Sequence, residues 1–384
     1  VIDQHLQQQS QLSQRQTRLA TPPHIHRRRL LGAAAAGMLP LRWALAANPA
    51  PPTTFALMPA TRAASLAAGA TAVLARQLGN SAERALERQP HFMSRVHTEG
   101  LLDGEGQRAA SLDAQEDWRQ ARLQALAYRL SGRRACADAA LRYLDTWLGK
   151  YQPSFNPIDE TELPSMLWAA DLLAEQMPAD LVAAGQRWCV QLARGYLSSD
   201  IINGPKSTSV NNWQSHRVKI GTAAAFYSGD AKLIKTARIA FMHQVMRNID
   251  ADGKTYDFAE RDALHYVTYT LEPLLMTACM AAAHGQDWYG AEEAQGRLAK
   301  AVEWMRPYIL GQRMHDEFVH SKVPFDARRA DAGVKGYSGT WDRNQASSLC
   351  WLACKLDKRY EQVGARLAPS PAWLQVMFSQ RYYS

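Results

Sequence analysis

The chain has 384 residues, 47% of them hydrophobic, and a formal net charge of +8. That length and apolar content exclude disorder beyond the N-terminus and allow one large domain or two modest ones. The basic excess suits a polyanion. The body of the chain holds no dense Lys/Arg block and no nucleic-acid-binding motif, which puts an acidic polysaccharide ahead of nucleic acid as a partner.

Residues 1–26 are Gln-rich and precede Arg27-Arg28-Arg29-Leu30-Leu31. An apolar run from Gly32 to Leu41 follows, then Ala44-Leu45-Ala46, a small-x-small cleavage pattern. The run is too short to span a bilayer. Residues 1–47 read as a leader with an export signal of the twin-arginine kind, and 48–55 as a linker. Residues 56–384 read as one domain. The expectation is a periplasmic or secreted protein, monomeric, with no stable membrane association after export.

Helical periodicity dominates the rest. Apolar positions recur at helical spacing over 56–86, 118–130, 135–148, 163–175 and 181–197. They do so again over 212–227, 231–249, 262–283, 292–309 and 345–356. Gly, Pro or Asp punctuates the joints, and alternating strand patterns are scarce. Without a fixed-length repeat, a solenoid is disfavoured. The pattern predicts an all-α chain, an (α/α) toroid or incomplete barrel of helical hairpins, with a compact helical bundle as the alternative. The five cysteines are odd in number and include no C-x-x-C, so they read as small buried apolar residues.

Two segments carry chemistry. In Val210-Asn211-Asn212-Trp213-Gln214-Ser215-His216-Arg217, a helix puts Asn212 and His216 on one face. One Asn is explained as an N-cap, but not both. In Arg261-Asp262-Ala263-Leu264-His265-Tyr266-Val267-Thr268-Tyr269, a helix would align Arg261, His265 and Tyr269 in two i, i+4 steps. Tyr266 competes with Tyr269 for the same role. An amide, two imidazoles, a guanidinium and a phenol can bind a carboxylate and move a proton without a metal. No metal-ligand spacing, P-loop, dinucleotide fingerprint or G-x-S-x-G is present, so no cofactor is expected. Arg217, His97 after the Gln89-Pro90-His91-Phe92 turn, and Tyr337 and Trp341 in a Gly-rich stretch are candidate substrate contacts. Asn211 and Trp213 join them, the indole as a surface for a sugar ring.

These residues resemble the alginate-lyase-like superfamily of polysaccharide lyases, over most of 85–290. The resemblance includes Ala127-Tyr128-Arg129-Leu130-Ser131-Gly132, Asn156-Pro157-Ile158, Asn211-Asn212, and Ala263 to Leu274. It implies an (α/α) toroid that cleaves uronate polymers by β-elimination, using Asn, His, Arg and Tyr and no required metal. Family 5 alginate lyases keep a His where Trp213 stands, and an Arg where Asp262 stands. The run Asn-Asn-Trp-Gln-Ser-His-Arg looks closer to polysaccharide lyase family 38, which acts on glucuronan or alginate. The resemblance implies Tyr269 as the proton-transfer residue and Asn212, His216 and Arg261 as the carboxylate clamp. A glycoside hydrolase using two carboxylates from Asp257, Glu260, Asp262 or Asp159, and a non-catalytic polysaccharide-binding protein, are the competing readings.

Overall fold

The computed structural model describes residues 56–57, 65–68 and 70–382. The leader, its cleavage pattern and most of the linker fall outside the described residues. The principal helices are α1 (Ala72–Arg84), α2 (Arg108–Ser131), α3 (Arg134–Trp147), α4 (Pro164–Leu172), α5 (Ala179–Tyr196) and α6 (Asn212–Ser228). They continue as α7 (Ala231–Asn248), α8 (Tyr256–Arg261), α9 (Leu264–Ala283), α10 (Arg297–Ile309), α11 (Pro324–Asp331) and α12 (Ser347–Leu356). Among the described residues there is no strand, only isolated bridges at Ile249 with Thr255 and Asp316 with Thr340.

Local chemistry explains the boundaries. Gly132, at φ 70°, ends α2, and its N–H bonds the Tyr128 carbonyl. Pro164 opens α4, where its missing N–H costs nothing. The Asp230 carboxylate accepts the N–H groups of Lys232 and Leu233 at the start of α7. The helix α2 begins ten residues before the apolar period becomes visible at Trp118, because its first turns are polar. The predicted helix over 56–86 is described as helix only at 65–68 and 72–84.

The helices form an (α/α) toroid. An inner row runs α2 on α4, α4 on α6, α6 on α9 and α9 on α12. Outer partners are α3 on α2, α5 and α7 on α6, and α10 on α9. Inner helices touch neighbours on every side, so they lose the amphipathic stripe. In α6 only Trp213 and Ser228 escape burial, although it carries Asn212, His216, Arg217 and Lys219. Two glycines permit close approach. A side chain at Gly221 would meet Leu197 at 2.6 Å, holding α6 off α5. One at Gly195 would strike the ring of Phe155, which introduces the loop 156–162. All five cysteines are free and buried. No helix among the described residues is long and apolar enough to cross a membrane.

Candidate active site

The site is built where α6 and α9 lie side by side, with the loop 156–162 across them. Asn211 caps α6, its side-chain oxygen accepting the Trp213 N–H at 3.1 Å. Asn212 is the first helical residue and is buried. Its backbone N–H and its amide both donate to Asp257 Oδ1, at 2.8 and 2.7 Å. The other Asp257 oxygen accepts from Asn248 at 2.8 Å and Thr270 at 2.7 Å. One fully buried carboxylate on α8 thus ties α6, α7 and α9 together and fixes the Asn212 side chain.

One turn on, His216 packs its ring against that of Tyr269, with centroids 4.3 Å apart. Its Nδ1 is 2.7 Å from Thr161 Oγ1, and its buried Nε2 makes no hydrogen bond to the protein. Burial, reinforced by the Lys219 charge, holds the imidazole well below its ordinary pKa, so it is neutral at pH 7. Lys219 donates to the Thr161 carbonyl at 2.7 Å and lies 3.4 Å from its hydroxyl. Burial lowers the Lys219 pKa to about 8 against the attraction of Glu162 and Glu272. Glu162 would be raised by burial, but Arg122 and Lys219 bring it below the usual carboxylate value. The Tyr269 phenol is pushed up by burial and by Tyr266, while Thr161 and Arg329 favour the phenolate.

Arg261 does not share a helix with His265 and Tyr269. It ends α8, and Asp262 follows at φ 49°, turning the chain before α9 starts at Leu264. The expected double i, i+4 alignment therefore fails at its first step, while His265 and Tyr269 remain one turn apart with ring centroids 6.4 Å apart. The physical reason is the left-handed corner, which Asp262 tolerates better than most residues. The Arg261 guanidinium pairs with buried Asp326 on α11 and lies 4.0 Å over the Tyr266 ring. The cation that reaches the phenols is Arg329, whose Nη1 donates to Tyr266 Oη at 3.0 Å.

The segment 313–341 docks on this corner. The N–H of Phe318 and Nε2 of His315 each bond the Asp262 carbonyl at 2.9 Å. Glu317 accepts the N–H groups of Leu264 and His265, at 2.8 and 3.1 Å, and so caps α9. Burial outweighs those bonds and raises Glu317 to about 7. Phe318 stacks on Tyr337 at 4.8 Å, and the Tyr337 and Tyr266 hydroxyls are 3.4 Å apart. Burial, with help from the Arg329 and Arg261 charges, lowers His265 to about 3. Arg328 on α11 pairs with Glu105.

The structure brings His216, His265, Tyr266, Tyr269 and Tyr337 together, with Asn212 one turn below His216 and Arg261 behind Tyr266. Other predicted residues stand further back. Arg217 is buried, donates to the Thr208 carbonyl and sits 5.6 Å over the Trp213 ring, and burial lowers its pKa to about 10. Trp341 lies against the hydrophobic core at 8% exposure, its backbone N–H donating to the His315 carbonyl at 2.9 Å. His97 is partly exposed, its Nδ1 2.9 Å from Asp159. Asp159 is spent on the N–H groups of Thr98 and Glu99, at 2.7 and 2.8 Å, and Asp257 on four donors, so neither fits a hydrolytic carboxylate. Sequence reasoning missed Thr161, Lys219 and Arg329. Thr161 follows Asp159 and Glu160 in the loop already singled out, and Lys219 lies one turn after His216; Arg329 had no such signal. Among the described residues no three or more His, Cys, Asp or Glu side chains are grouped to hold a metal ion.

Comparison with known proteins fits this geometry. Residues 57–315 match the family model described as alginate lyase. A solved alginate lyase from Bacteroides ovatus is similar over 85% of this chain and 98% of its own, with 18% identity and a TM-score of 0.62. Alginate lyase A1-III from Sphingomonas species A1 is similar over 77% of this chain and 85% of its own, with 17% identity and a TM-score of 0.52. A variant of A1-III solved with a tetrasaccharide has a TM-score of 0.51, at 17% identity over 78% of this chain and 85% of its own. Among curated proteins none matches the chain. The solved structures share the helical fold, and the family model spans most of the chain: this protein belongs to the alginate lyase family and is a polysaccharide lyase.

Proposed function

We propose that the enzyme cleaves a 4-linked polyuronate, glucuronan or mannuronate-rich alginate, by syn β-elimination with Tyr269 as base and then acid. The observation that carries this is the His216–Tyr269 pair, 4.3 Å apart and drawn from two helices. It sets a proton carrier beside a neutral imidazole whose Nε2 is uncommitted. Three tasks follow from the chemistry. The C5 carboxylate must be hydrogen-bonded, H5 removed, and the departing O4 protonated. Asn212 and His216 supply neutral donors to the carboxylate, where charge grows as H5 leaves. Arg329 supplies the cation, since Arg261 is spent on Asp326. The Tyr269 phenolate takes H5, the C5–H electrons form the C4=C5 bond, and the C4–O4 bond breaks with its pair going to O4. The new phenol then gives its proton to O4, and both atoms are served from one side of the ring.

The run Asn211-Asn212-Trp213 and the Asp262 corner favour the family 38 type over family 5. Export to the periplasm or beyond, and action as a monomer, complete the reading. The test is a panel of glucuronan, polymannuronate and polyguluronate, followed by ultraviolet absorbance of the conjugated double bond and product sizing. Shorter products without that absorbance would mean hydrolysis. Binding without shortening would mean a carbohydrate-binding protein.

A further inference from the structure

The Thr161 hydroxyl lies 2.7 Å from His216 Nδ1 and also meets the Tyr269 phenol, and it has a single proton to give. Two observations say where that proton goes. The Lys219 ammonium, a donor only, faces the Thr161 carbonyl at 2.7 Å and the hydroxyl oxygen at 3.4 Å. Below about pH 8 it can occupy a lone pair on that oxygen and cannot accept from it. Tyr269, whose phenol also reaches the Thr161 side chain, is held neutral by burial and so brings a proton of its own to that contact. With Lys219 a donor and the Tyr269 phenol protonated, Nδ1 of His216 is the acceptor left for the Thr161 proton.

We infer that Thr161 is a positioning residue: its hydroxyl donates to His216 Nδ1 and so fixes the neutral imidazole with its proton on Nε2. This rests on the lyase reading for its consequence but not for its geometry. In that tautomer His216 offers Nε2–H to the substrate carboxylate, and its only basic nitrogen points away, into Thr161. His216 then serves as a donor and does not abstract H5, which leaves Tyr269 as the sole proton acceptor. The tautomer of a functional histidine is set by the bond made at its other nitrogen.

The test uses the full chain labelled with 15N-histidine. His216 is assigned as the ring signal lost in His216→Gln. At pH 7 the wild-type residue is expected to be neutral with the proton on Nε2. Thr161→Ser should keep that state, and Thr161→Val should lose it. On the polyuronate that the wild type degrades, Thr161→Val should lower kcat by about 10–100-fold with KM little changed, and Thr161→Ser should restore most of the rate. A proton on Nδ1, a charged His216 at pH 7, or a Val variant with unchanged tautomer and kcat overturns the assignment. The wild-type spectrum decides the tautomer even if the Val variant fails to fold. Absence of unsaturated product from every polyuronate would sink the lyase reading instead, and leaves the spectroscopic result standing on its own.

Discussion

His216 and Tyr269 meet at 4.3 Å although fifty-three positions separate them, because α6 and α9 are adjacent inner helices of the toroid. The tilt between their rings is 48°, so the phenol flanks the imidazole without stacking on it. That relationship makes the first prediction direct. Tyr269→Phe removes one oxygen and keeps the ring packed. It should lower kcat by at least about 10²–10⁴-fold, the usual worth of one general acid–base group, while polymer binding stays within a few-fold. Near-normal turnover in steady-state assays would reject Tyr269 as the proton carrier.

The pH dependence separates Tyr269 from His216 as the base. Burial and Tyr266 raise the phenol above its ordinary value, so the phenolate fraction grows with pH throughout the neutral range. Burial depresses His216, so its neutral form is already complete well below pH 7. With Tyr269 as base, kcat/KM should climb steadily from pH 6 to 9. With His216 as base it should be flat there. A log kcat/KM plot on the preferred polymer reads the difference, and a plateau from pH 6 upward would transfer the base to His216.

The two arginines near Tyr266 should behave oppositely. Arg261→Met strands Asp326, which is wholly buried and keeps only Ser321 at 2.7 Å and Arg329 at 3.7 Å. Breaking a buried pair from one side costs about 3 kcal/mol, so the expected result is a marked drop in Tm. Arg329→Met leaves Asp326 its Arg261 partner and should hold Tm within a few degrees. It should instead reduce kcat/KM by about 10²-fold or more, as loss of a charge aimed at the transition state does. Equal Tm losses in the two variants would place both arginines in the scaffold.

Much of this was readable in the chain, and the failures have physical causes. The α6 residues were legible because one helix carries Asn211, Asn212 and His216 at fixed spacing, and the spacing survives burial. The α9 pair His265 and Tyr269 was legible for the same reason. Arg261 was misplaced because periodicity does not register a single left-handed residue, and Asp262 breaks the helix without Gly or Pro to announce it. The depth of Trp341 was not legible, because aromatic content in a Gly-rich loop says nothing about which way the loop turns. Thr161 and Arg329 come from segments 55 residues before His216 and 63 after Tyr266, respectively. Their contacts exist only once the toroid is closed, and no local pattern encodes closure.

Glu317 supplies the last prediction, on stability. It leaves the segment 313–341 to cap α9, directly beneath His265 and one turn from Tyr269. Its pKa is raised from 4.5 to about 7 by burial. A raised folded-state value means the native protein holds a proton that the unfolded chain releases between those limits. The stabilisation is therefore complete below about pH 4.5 and is lost as pH rises through about 7. At roughly 1.4 kcal/mol per pKa unit, the shift corresponds to about 3 kcal/mol across that window. Glu317→Gln cannot ionise, so the fall in Tm between pH 5 and 8 should be smaller in the variant than in the wild type. The two Tm curves should lie close together at the acidic end, where the wild-type carboxyl is protonated like the neutral amide, and separate at the alkaline end, where the wild-type carboxylate sits charged in a buried position. Parallel curves from pH 5 to 8 would show that Glu317 titrates as an ordinary surface carboxylate and that the cap is ionised throughout.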